Sequence, residues 1–151
     1  ACQVVANRSG VAVVCVTLGG FDTHQNQLPT HARLLKDLAD GIVAFRSALT
    51  ELSRWDDALL LTYAEFGRRA KENMSGGTDH GTASVHLATG GRVAGGFYGE
   101  QPSLTQLDGE GNTGHALDFR SLYATVLERW WGVPAIEPLR GRFAPVEFIR
   151  T

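Results

Sequence analysis

Apolar runs, one long periodic stretch and Gly-rich polar loops follow one another along the chain. Val11-Ala-Val-Val-Cys-Val-Thr-Leu18 is a continuous apolar run closed by Gly19-Gly20. Its length and β-branched content predict a strand buried on both faces. A polar loop from Phe21 to Gln27 leads to Pro29, which suits the first turn of a helix. Leu34, Leu38, Ile42, Phe45, Leu49 and Leu52 then recur at spacings of three and four, the signature of one face of a long amphipathic helix. Gly41 interrupts that stretch at a cost of ~1 kcal/mol relative to Ala. Ala58-Leu-Leu-Leu-Thr-Tyr63 predicts a second buried strand, followed directly by Ala64-Glu-Phe-Gly-Arg68. Strand, helix and strand in this order predict a right-handed crossover and a parallel sheet.

Beyond that point the periodicity weakens. Residues 69–82 read as a polar, Gly-rich loop, and 85–89 with 92–98 read as a hairpin around Gly90-Gly91. Residues 99–116 carry no period and predict irregular structure. Asp118 is a good N-cap for a last helix, with Phe119, Leu122, Tyr123, Val126, Leu127 and Trp130 on one face and Gly132 past its end. The expectation is an α/β fold over residues 1–151 as a single domain, with a parallel-type sheet flanked by helices.

Composition narrows the function classes. Of 151 residues 43% are hydrophobic and 20% charged, enough apolar material for a core rather than a disordered chain. A formal charge of −2 offers no basic field for nucleic acid or anionic lipid. No apolar run reaches the ~18–20 residues of a membrane-spanning helix. The two cysteines, Cys2 and Cys15, fit no metal-binding CxxC spacing and leave the redox compartment open. The chain begins Ala-Cys-Gln, without a recognisable leader, and reads as a piece of a longer or processed protein.

The candidate chemistry collects in the loops that follow the predicted strands, where open α/β sheets bind ligands. Asp22 and His24 follow the first strand, Glu65 and Arg68 the second, and Asp79 and His80 lie in Gly76-Gly-Thr-Asp-His-Gly81. Three carboxylates and two imidazoles without thiolate suit a divalent cation, Zn²⁺ or Mn²⁺ rather than Ca²⁺. Asp22-x-His24 brings both side chains to one side of an extended loop. Adjacent Asp79 and His80 cannot share a strand face, so both reach one ion only from an irregular loop, or one ligates while the other orients a neighbour. Each residue also has a plainer reading: Asp22 as an Asx-turn or cap, Asp79-His80-Gly81 as turn chemistry, Glu65 and Arg68 as a surface ion pair. His31 and His86 read as surface or core histidines, and His115 as a weak ligand candidate.

Gly-Gly-Phe-Asp-Thr-His-x-x-Gln (19–27), Glu-Phe-Gly-Arg (65–68), Asn73, Gly-Thr-Asp-His-Gly-Thr-Ala (77–83), Gly-Gly-x-Val-x-Gly-Gly (90–96) and Asp-Phe-Arg-Ser-x-Tyr-Ala (118–124) occur in this order. The pattern resembles a bacterial family of unknown function, often exported by the twin-arginine route and related to sulfatases and alkaline phosphatases. The resemblance covers nearly the whole chain and matches the C-terminal portion of longer members. It implies an alkaline-phosphatase-like core, a periplasmic or other extracytoplasmic location, and a nucleophile in an N-terminal half. It also implies that Asp22 and His24 form one ligand pair, with His80, and Asp79 beside it, as the later histidine loop. Glu65 then stands in the acidic place of a second pair, whose His position is filled by Phe66; a rival register makes Asp79-His80 that pair.

The function expected on this basis is a metal-dependent hydrolase acting on a phosphate or sulfate ester, of a small molecule or a glycan. Asp22, His24, Glu65, Asp79 and His80 are its metal-ligand candidates, with Glu65 and Arg68 in catalytic roles. The alternative is a non-catalytic metal- or glycan-binding surface protein on the same scaffold.

Overall fold

A computed structural model describes residues 1–7 and 10–150. Helix α1 (Cys2–Ala6) is one short turn packed against α2 (Gln27–Glu51), the long helix of the molecule. The predicted apolar stripe is real: Leu34 and Leu49 are buried, and Leu38, Ile42 and Phe45 are half-buried. Leu52 lies past the last turn and is exposed. Gly41 passes within α2 without a break, and the i,i+4 pairs Arg33–Asp37 and Lys36–Asp40 support its outer face.

The strands depart from expectation. Strand β1 (Leu59–Leu61) pairs antiparallel with β4 (Ala88–Gly90), and β2 (Gly67–Glu72) pairs antiparallel with β3 (Thr78–Gly81). These are two separate two-stranded sheets, so the parallel-type sheet and the alkaline-phosphatase-like core are not present among the described residues. Val11–Leu18 is the element that fails. It makes no backbone–backbone hydrogen bond among the described residues, and Val13 and Val16 are 63% and 74% exposed. A strand is completed by a ladder partner and by layers on its faces, and the strands present pair only with each other.

Two further expectations are corrected. Residues 69–82 are mostly a β-hairpin rather than a loop, because the Asn73 side chain organises the turn: its Oδ1 accepts from Ser75 N and Gly77 N at 2.9 and 3.1 Å. The expected hairpin around Gly90-Gly91 does not form, since Ala88–Gly90 pairs with β1 and Val93 bridges Ile149. Close backbone approach explains the glycine at 90: a Cβ there would lie 2.2 Å from Ala58 O.

The C-terminal third follows its sequence signals in its cap and its stop. Phe119, expected on the apolar face of the last helix, is 57% exposed, and that helix buries Ala124 and Thr125 instead. Asp118 caps α3 (Phe119–Thr125) by accepting from Arg120 N, a π-helical turn (Val126–Trp130) continues it, and Gly132 leaves at φ +67°. Residues 99–116 hold no helix or strand. A short helix, α4 (Ile136–Leu139), leads into a tail that closes over α3: Val146 N donates to the buried Thr125 Oγ1 at 2.7 Å, and Phe148 and Ile149 are buried. No helix among the described residues is long and apolar enough to cross a membrane.

Candidate metal centre

Strand geometry determines which side chains meet. Arg68 pairs with His80 across the β2–β3 ladder, so the two share a face. Phe66, two residues before Arg68, and Thr78, two before His80, fall on the same side. Phe66 stacks flat on His80, with ring centroids 3.7 Å apart and planes 9° from parallel. Thr78 donates to Gln27 Oε1 at 2.8 Å, fastening the hairpin to the start of α2.

The loop carrying Asp22 and His24 is delivered to this face by several ties. Thr23 is buried and its Oγ1 lies 2.8 Å from His31 Nε2 on α2. Asn73 Nδ2 donates to His24 O at 2.9 Å. Asn26 N and Gln27 N donate to Ser75 O and Gly76 O at 3.2 and 2.9 Å. Gly77 permits the approach, since a Cβ there would lie 2.2 Å from the carbonyl carbon of His24.

Three donor atoms thereby converge from segments far apart in sequence. His80 Nε2 donates to Asp22 Oδ1 at 2.7 Å, His24 Nε2 lies 3.0 Å from the same oxygen, and the two Nε2 atoms are 3.1 Å apart. All three side chains are about half exposed, so the triangle opens outward. The hydrogen bond from His80 holds the Asp22 carboxyl below the usual carboxylate range, and charge on His24, His80 and Arg68 adds to this against the opposing effect of burial. It is the only grouping of three or more such side chains with converging donor atoms among the described residues.

The other candidates divide. Asp79 lies on the opposite strand face and reaches the back of the site, its Oδ1 3.7 Å from His24 Nδ1. That is beyond hydrogen-bond length, so Asp79 flanks the imidazole without bonding it. Glu65 is exposed and not drawn into the triangle, because the chain turns from β1 to β2 around it. Arg68 is 16% exposed and directed into the fold, donating to Thr78 O and Phe21 O. His115 stays outside the grouping, and His86, half-buried beside β1, has its pKa lowered by burial. Phe66 and Gly77 are the residues that sequence reasoning passed over as participants. The signal available was their place beside ligand candidates, not their own chemistry.

The family model described as "Protein of unknown function (DUF1501)" matches residues 3–137, and the chain belongs to that family. No curated protein and no solved structure matches it.

Proposed function

We propose that this DUF1501 protein holds a divalent cation on Asp22, His24 and His80 and is a metal-dependent hydrolase of phosphate or sulfate esters. The observation that carries the metal reading is the triangle of donors, with edges of 2.7, 3.0 and 3.1 Å. Ligands at right angles around an ion with bonds of about 2.1 Å stand about 3.0 Å apart, whereas a tetrahedral set stands about 3.4 Å apart. The edges are close to both spacings, so one Zn²⁺ or Mn²⁺ suits the three donors, with the outward positions left to water and substrate. Asp79 stands behind His24, 3.7 Å from its Nδ1, within a short closure of the place an orienting carboxylate takes beside a ligating imidazole.

A cation on these donors would polarise an ester oxygen and lower the pKa of bound water. Asp22 stays ionised under the influence of its neighbours, and the open face admits an ester on a large or a small molecule. The ester class rests on the motif resemblance at residues 19–27, 65–68 and 77–83. Metal uptake by metal-free protein, followed by turnover of aryl phosphate and aryl sulfate esters, tests the two parts separately. The exposure of all three donors also favours a second reading, metal binding without turnover at a surface for another molecule. One equivalent of bound metal with no hydrolysis of either ester class would select it.

A further inference from the structure

Arg68 touches both halves of the triangle without being one of its corners. Its Nη2 donates to Phe21 O at 2.7 Å, one residue before Asp22, and lies 3.5 Å from Asp22 Oδ1. Its Nη1 donates to Thr78 O at 2.5 Å, two residues before His80. The guanidinium also sits over the ring of Phe66, 4.9 Å from its centroid, and Phe66 is stacked on His80. One side chain thus spans from the loop bearing Asp22 and His24 to the strand bearing His80, and it supports the ring beneath His80 as well.

We infer that Arg68, with Phe66, is a positioning device that sets the spacing of the donor triangle, rather than a cation that meets the substrate. The fork of a guanidinium is what the place requires: two N–H groups aimed at two carbonyls, and a flat face for an aromatic ring. Lysine carries the same charge but cannot span both carbonyls from one plane. The inference rests on the proposed metal reading only for its affinity readout, because the geometry it describes exists without metal.

The test compares wild type with Arg68→Lys and Phe66→Leu. Cobalt(II) is the metal probe, read by binding affinity and by its visible absorption. Imidazole NMR of metal-free protein is the second readout. In Arg68→Lys the cobalt affinity is expected to fall about 10–100-fold, the range for residues that orient ligands, with an altered absorption spectrum. In metal-free protein the same variant loses the His24–His80 ring-to-ring NOE. Phe66→Leu keeps the carbonyl clamp and shifts the His80 ring resonances by removing the stacked ring, with a smaller loss of affinity. Wild-type affinity, spectrum and NOE in Arg68→Lys would overturn the inference. If wild type binds no cobalt, the metal reading fails, and the NOE in metal-free protein still decides the role of Arg68. If Arg68→Lys does not fold, Phe66→Leu decides: a wild-type His24–His80 NOE together with wild-type cobalt affinity there would overturn the inference.

Discussion

Gly77→Ala couples the fold to the site more sharply than substitution of a donor. The added Cβ would lie 2.2 Å from His24 C, 2.4 Å from His24 O and 2.6 Å from Gln25 N, where ordinary contact begins at 3.4 Å. All three obstacles are backbone, so relief requires the 73–77 turn and the 24–27 segment to separate by about 1 Å. The bonds at stake are Asn73 Nδ2 to His24 O, Asn26 N to Ser75 O and Gln27 N to Gly76 O. At a net ~0.5–1.5 kcal/mol each, their weakening costs about 2–4 kcal/mol, or about 5–15 °C in Tm for a chain of this length. The same movement carries His24 away from His80, opening a 3.1 Å donor spacing toward 4 Å. Metal affinity is expected to fall at least about tenfold, as with loss of an orienting contact. Gly109→Ala is the control, since nothing lies within 4 Å of its Cβ position. It should be neutral, or stabilising by ~0.4–1 kcal/mol. Thermal unfolding and calorimetric titration of both variants check this. A Gly77→Ala protein with wild-type Tm and wild-type affinity would refute the close approach on which the site is built.

Other consequences follow from particular contacts. Asp79→Asn removes the carboxylate 3.7 Å from His24 Nδ1 and should weaken metal binding by about tenfold at most, the low end for orienting partners, without a large change in Tm, measured by titration. Arg120 holds the Asp118 carboxyl at about 2, against an ordinary 3.8, first through a side-chain hydrogen bond and then through its backbone N–H. A depressed folded pKa means the stabilisation is fully present above pH ~4 and is lost as pH falls toward 2; the stability gap between wild type and Asp118→Asn, from denaturant melts, should close over that window. Val13 and Val16 are exposed on a segment with no backbone–backbone hydrogen bond among the described residues, so wild type should self-associate and Val13→Lys with Val16→Lys should be more monomeric by sedimentation velocity. Equal self-association in the double variant, or none in wild type, would refute the role of that apolar segment.

What could be read from the sequence was what is local. The stripe of α2 and the cap of α3 depend on residues a few positions apart, and both were legible from spacing and from Asp118 alone. Strand pairing depends on distant partners. The apolar content of residues 58–63 revealed an extended segment, but not that its partner would be Ala88–Gly90 running antiparallel. Gly-Arg-Arg-Ala-Lys-Glu at 67–72 has no β-branched residue, and it becomes a strand through ladder pairing and the Asn73 turn. The site divides in the same way. Asp22, His24 and His80 were legible as residue types suited to a cation, whereas the placing of Glu65 outside and of Phe66 beneath His80 follows from hairpin register.

Asp22, His24 and His80 are proposed to form one cation site. Calorimetric titration of metal-free protein with Mn²⁺ and Zn²⁺, on wild type and on Asp22→Ala, His24→Ala and His80→Ala, tests it most directly. Wild type is expected to bind one equivalent. Structural zinc sites of four ligands bind with ~10–16 kcal/mol, about 3 kcal/mol per ligand, so each variant should lose about a hundredfold in affinity. No binding by wild type, or undiminished binding by the three variants, would contradict it.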